Sequence, residues 1–122
     1  MDDRAPWLES RHILVVEDDA LVAIGLVSYL EELGATVMWA TDIPNAVGWI
    51  EHCSKIDVAI VDLNLDGSMS TPVVDRLIAK EVFTILCTGY EVGSIEERFR
   101  GLPRSEKPFT RAKIRNLLAI GV

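Results

Sequence analysis

The chain has 122 residues, 12 basic against 19 acidic side chains, and a net charge of −7. That length suits one domain, and the acidity argues against non-specific binding to nucleic acid or an anionic membrane. No apolar run approaches the roughly 20 residues of a bilayer span, and two isolated cysteines, Cys53 and Cys87, form no metal-ligand or redox spacing.

Residues 1–11 mix charge with Pro6 and Trp7 and read as a loose N-terminal leader, without the apolar core of a secretory signal. A reduced, cytoplasmic setting is therefore expected. The domain proper is expected over residues 12–121. His12-Ile13-Leu14-Val15-Val16 reads as a buried strand, with Glu17-Asp18-Asp19 at its carboxyl end. From Ala20 to Leu33, apolar residues at helical spacing (Ala23, Leu26, Leu30, Leu33) predict a helix stopped by Gly34. Thr36 to Ala40 is a second strand, and Asp42 caps a helix that admits Pro44 in its first turn and runs to about Cys53.

Val58-Ala59-Ile60-Val61-Asp62 is rich in β-branched residues and too short for an ordinary helix, which predicts a strand buried on both faces. It ends on an acid, and Gly67 follows in a loop expected over Asn64 to Thr71. A helix beginning near Pro72, a fourth strand from Val82 to Cys87 and a weak helix candidate from Glu91 to Leu102 come next. Pro103 to Glu106 reads as a short edge strand leading to Lys107-Pro108, and Thr110 caps a final helix ending at Gly121.

Strand and helix alternating five times call for a doubly wound parallel sheet covered by helices on both faces. In that α/β architecture all strands present their carboxyl ends on one edge, where such sheets bind ligands. Glu17, Asp18, Asp62, Thr88 and Lys107 then converge from distant parts of the chain. Three carboxylates brought together repel: a pair ~4 Å apart costs about 4 kcal/mol at an effective dielectric near 20. Protons or a cation must offset that repulsion. Magnesium suits an all-oxygen set, whereas zinc would prefer the histidines, and neither His12 nor His52 stands at a strand end. A cation beside Asp62 makes phosphoryl transfer to that carboxylate plausible, with the Lys107 ammonium and the Thr88 hydroxyl serving the other phosphoryl oxygens. Taken singly, residues in and around this set have plainer roles: Asp19 as a helix cap, Thr88 as a strand residue, Lys107 at the surface, Trp39 and Tyr90 in packing.

In these residues the chain resembles the receiver domain of two-component response regulators. The carriers are Ile13-Leu14-Val15-Val16-Glu17-Asp18, Asp62 ending the third strand, Thr88-Gly89, and Lys107-Pro108-Phe109. The resemblance implies a five-stranded flavodoxin-like sheet in the order 2-1-3-4-5 and a cis Lys107-Pro108 bond. It implies that Asp62 accepts phosphate from the phosphohistidine of a histidine kinase or phosphotransfer protein. It further implies Mg2+ held by Glu17, Asp18, Asp62 and the Asn64 backbone carbonyl, with Thr88 and Lys107 on the phosphoryl group.

Two departures stand out. Most receivers carry Met-Pro after the phosphorylated Asp and an aromatic residue three before the Lys; here the loop is Asn64-Leu65-Asp66-Gly67 and the position holds Arg104. With Ser70-Thr71-Pro72 and Leu86-Cys87-Thr88-Gly89-Tyr90, these features resemble the subgroup named for a Phe-Ala-Thr-Gly-aromatic-Tyr-type motif, whose members often stand alone as single-domain proteins or sit in hybrid kinases. A switch that draws Thr88 inward and orders residues 89–102 is the expectation for this chain. The expected role is a signalling phosphoacceptor acting through protein partners and not an enzyme with turnover. A pseudo-receiver has no need of the five-residue set. A phosphatase of the haloacid dehalogenase type would place Asp-x-Asp after its first strand, whereas here Asp62 is followed two residues on by Asn64.

Overall fold

The computed structural model describes residues 5–89, 95–108 and 110–122. Its centre is β3, Val58–Asp62, in which every residue is buried. Strands β1 (His12–Val16) and β2 (Thr36–Ala40) lie to one side of it. Strands β6 (Phe83–Thr88) and β7 (Arg104–Glu106) lie to the other. All four pairings are parallel, in the order β2-β1-β3-β6-β7. The two remaining strands, β4 (Asn64–Leu65) and β5 (Ser68–Met69), form a separate antiparallel hairpin. The main sheet therefore has the expected 2-1-3-4-5 topology of the flavodoxin-like receiver fold.

Alternation along the strands divides the core. Ile13, Val15, Val58, Ile60, Ile85 and Cys87 face a layer built from α1 (Ala20–Glu32) and α4 (Arg111–Gly121). Their sequence neighbours Leu14, Ala59, Val61 and Leu86 face α2 (Ile43–His52) and α3 (Thr71–Ala79). Three helices start where the sequence places a cap. Asp19 accepts from the Leu21 and Val22 amides, Asp42 from Asn45, and Thr110 from Lys113.

Three expectations change. The leader is not loose over its described part: Pro6–Leu8 form a 3-10 turn, and Ala5 and Leu8 are fully buried in the α1/α4 layer. The Ala5 amide donates to the Leu33 carbonyl, Ser10 to Gly34, and Thr36 to the Arg11 carbonyl. Gly34, at φ +106°, ends α1 and leaves room for Glu9, whose Cα lies 3.3 Å from where a Cβ would stand. Second, the loop after β3 is the β4–β5 hairpin, turned through Asp66 (φ 50°) and Gly67 (φ 85°), the positive-φ pair that a tight two-residue turn demands. Third, the helix expected from Glu91 to Leu102 is, within its described residues, only a 3-10 turn over Glu97–Phe99. Phe99 is buried there against the α2/α3 layer. Residues 91–94, Tyr90 and Phe109 lie outside the described residues.

Candidate functional site

Strand register builds the site. Val16 pairs with Val61, so Glu17 stands level with Asp62. Asp62 pairs with Cys87, which puts Thr88 one step further along the same edge. Thr88 pairs with Glu106, and the next residue, Lys107, donates its amide to the Thr88 carbonyl at 2.7 Å. The five residues expected to converge do meet at this edge. One carboxylate oxygen from each of Glu17, Asp18 and Asp62 lies within 4.8 Å of the other two. The Lys107 ammonium bridges the buried pair, 2.7 Å from Asp62 Oδ2 and 2.8 Å from Glu17 Oε2. Glu17, Asp62 and Thr88 are buried while Asp18 is exposed, so the cluster is a floor with one acid at its rim. The Lys107-Pro108 bond is cis, as the resemblance implies. Arg104, in place of the usual aromatic residue, is exposed on β7.

Burial sets the electrostatics. It pushes the Glu17 carboxyl up to about 7; the Lys107 and Asp19 hydrogen bonds oppose this and the Asp62 charge adds to it. Burial also acts to lower Lys107, but its hydrogen bonds to Asp62 and Glu17 outweigh that and hold the ammonium above its ordinary value. Cys87 is pushed up to about 12 by burial and by the Asp62 charge, so beside the acids it is a neutral thiol and not a nucleophile.

Four hydrogen bonds position the acids from behind. The Asn64 amide donates to Asp62 Oδ1 at 3.1 Å. The Trp39 indole Nε1 donates to the Glu17 carbonyl at 2.8 Å, while the Glu17 amide donates to Ala40, so β2 holds Glu17 through both its backbone groups. Ser70 Oγ donates to the Asp62 carbonyl at 2.6 Å. The sequence assigned Trp39 to packing and offered Ser70 only as part of the Ser70-Thr71-Pro72 stretch that carries the resemblance. The one available signal for Trp39 is that a strand-two residue opposite Val15 stands two positions short of the acid pair.

The donor set fits a hard divalent cation: three carboxylates with no histidine or cysteine ligand among them. A groove of about 590 Å³ opens beside Lys107 between α1 and α4, floored by Leu26, Tyr29 and Ile114 and edged by Arg111.

A doubly wound parallel sheet that gathers three acids and a lysine at its carboxyl edge has the architecture of a signalling receiver domain. Residues 13–102 match the response regulator receiver domain family, and the chain belongs to it. It is similar to SdrG of Sphingomonas melonis Fr1, with a TM-score of 0.79 and 37% identity over 90% of this chain and 94% of that one. A CheY-like receiver domain from Methylobacillus flagellatus shares the fold, with a TM-score of 0.80 and 22% identity over 93% of this chain and all (100%) of that one. The transcription factor SKN7 of Candida albicans is 36% identical over 66 residues, 52% of this chain but only 12% of that protein's length. Among the described residues no helix is long and apolar enough to cross a membrane.

Proposed function

We propose that this receiver domain accepts a phosphoryl group on Asp62 from the phosphohistidine of a histidine kinase or phosphotransfer protein, and signals through a phosphorylation-dependent protein surface. The observation that carries the reading is the Lys107 ammonium clamped between buried Asp62 and Glu17, with the exposed Asp18 at the rim. Mg2+, when held by Glu17, Asp18, Asp62 and the Asn64 carbonyl, would neutralise charge on the phosphoryl oxygens.

The chain's own groups supply the rest. Asp62 presents a carboxylate oxygen to phosphorus; the new O–P bond forms as the P–N bond breaks, and its electron pair leaves with the imidazole. Lys107 passes from the Asp62 carboxylate to a phosphoryl oxygen, a move of one hydrogen-bond length for a flexible ammonium. The Thr88 hydroxyl, at the neighbouring strand end, donates to another. Catalysis of this kind is positioning and charge neutralisation, which a preassembled edge provides. The apolar groove beside Lys107, with Leu21 85% exposed at its mouth, suits the helix of a phosphodonor partner. We assign the chain as a signalling phosphoacceptor and not as an enzyme with turnover on a small substrate.

The test is an intact mass spectrum after exposure to acetyl phosphate, or to beryllofluoride, with and without Mg2+. A magnesium-dependent adduct that Asp62→Ala abolishes is the expected result. An adduct that persists in Asp62→Ala, or none in the wild-type chain, overturns the assignment.

A further inference from the structure

Ser70 stands at the N-cap of α3, a position where serine ordinarily accepts from the helix amides and contributes about 1 kcal/mol. It does not do so. Its backbone (φ −85°, ψ 23°) is outside the extended conformation of a cap, and its side chain makes no capping bond. The other three α-helices are all capped by a side chain. The Ser70 hydroxyl is instead directed eight residues back, to the Asp62 carbonyl, in a fully buried bond of 2.6 Å. The Ser70 amide donates beside it to Leu63, at 2.9 Å.

This pair of bonds closes the hairpin of residues 64–69 like a clasp at the foot of the phosphoacceptor. It fixes two things at once: the main chain from which the Asp62 carboxylate projects, and the start of the hairpin. There the Asn64 amide holds Asp62 Oδ1 and the Asn64 carbonyl stands in the expected ligand set. A helix forgoing its cap to make this bond is the mark of a local preference overridden for the site.

We propose that Ser70 is a positioning residue for Asp62 and Asn64, acting through their backbone and touching neither cation nor phosphoryl group; this rests on the phosphoacceptor reading above. Groups of this kind behind metal ligands change affinity by roughly ten- to a hundredfold. The experiment titrates the full chain with Mg2+ by calorimetry, for wild type, Ser70→Ala, Ser70→Thr and Ser70→Cys, with a thermal melt of each. Thr keeps the hydroxyl and Cys keeps a weak donor, so the three variants also guard against one failing to fold. We expect Mg2+ affinity to fall about tenfold in Ser70→Ala, to fall less in Ser70→Cys, and to return to within about twofold of wild type in Ser70→Thr. Equal Mg2+ affinity across the folded variants, with only the melting temperature changed, would show Ser70 to be purely structural and overturn the proposal. Failure of the wild-type chain itself to bind Mg2+ overturns the phosphoacceptor reading together with it, so the two failures are told apart.

Discussion

The two edges of the sheet are built on opposite principles. At the amino edge close packing prevails among the described residues. The 3-10 turn at Pro6–Leu8 buries Ala5 and Leu8, the Arg115 guanidinium lies over the Trp7 ring, and Gly121 sits so close to Phe83 that a Cβ there would collide with the ring. At the carboxyl edge two buried acids share one lysine, a third acid stands exposed, and a capping serine is diverted from its helix. Close packing supplies stability where nothing must change, and electrostatic conflict is kept where a cation and a phosphoryl group can relieve it. If this division holds, substitutions at the amino edge change stability without changing ligand binding, and those at the carboxyl edge change ligand binding.

The largest expected effect tests the first half. Leu8→Ala removes a fully buried side chain from the α1/α4 layer and should cost roughly 3–4 kcal/mol in urea unfolding. Mg2+ affinity of the folded protein should stay within about twofold of wild type, a margin of ~0.4 kcal/mol. A Leu8→Ala protein of unchanged stability would mean that the N-terminal turn is decoration and the amino edge is closed by α4 alone.

That turn also shows where the sequence was hardest to read. Strands one and three were legible almost to the residue, because β-branched runs buried on both faces leave a continuous apolar signature. The caps at Asp19, Asp42 and Thr110 were equally plain, since each is a favoured capping residue standing just before a helical pattern. The N-terminal turn has only Ala5, Trp7 and Leu8 to bury, with no period and a proline among them, so it carries no local signal. The β4–β5 hairpin was hidden differently: Asp66-Gly67 is a hairpin turn, but strands of two residues are too short to alternate. At the site, the convergence of Glu17, Asp18, Asp62, Thr88 and Lys107 followed from topology alone. The bridging of Glu17 as well as Asp62 by Lys107, and the backbone contacts of Trp39 and Ser70, depend on side-chain placement that no spacing encodes.

The next effect in size concerns the conflict itself. Glu17 is raised by burial from 4.5 to about 7, so the native state holds a proton that the unfolded chain releases above pH 4.5. Such a group contributes stability that is fully present below its unfolded value and lost as pH rises through its folded one. Free of divalent cation, the wild-type chain should therefore lose on the order of 2–3 kcal/mol from this group between pH 4.5 and 7. The contrast with Glu17→Gln isolates it. By pH 8 the variant should be the more stable protein in urea, with the advantage gone by pH 5, and Mg2+ should stabilise the wild type more. Parallel pH profiles for the two proteins would remove Glu17 from the list of strained groups.

The smallest effect separates packing from site geometry most finely, because Trp39 serves both. Its ring packs half-buried against the α1/α4 core, while its Nε1 holds the Glu17 carbonyl at 2.8 Å. Trp39→Phe keeps most of the apolar contact and deletes the donor, so the stability loss should be about 1 kcal/mol, the worth of one hydrogen bond. If the two edges were energetically separate, that would be its only consequence. But the carbonyl it releases belongs to the first acid of the pair, and the Asp19 amide that donates to Glu17 Oε1 lies just beyond it. Releasing the carbonyl therefore loosens Glu17 and Asp18 together. Mg2+ affinity measured by calorimetry should fall a few-fold, less than for Ser70→Ala, since the Glu17 amide still donates to Ala40 and keeps one of its two anchors. A stability loss with no change in affinity would put Trp39 wholly on the structural side. A change in affinity as large as that of Ser70→Ala would mean that β2, and not the hairpin after β3, sets the geometry of the acids.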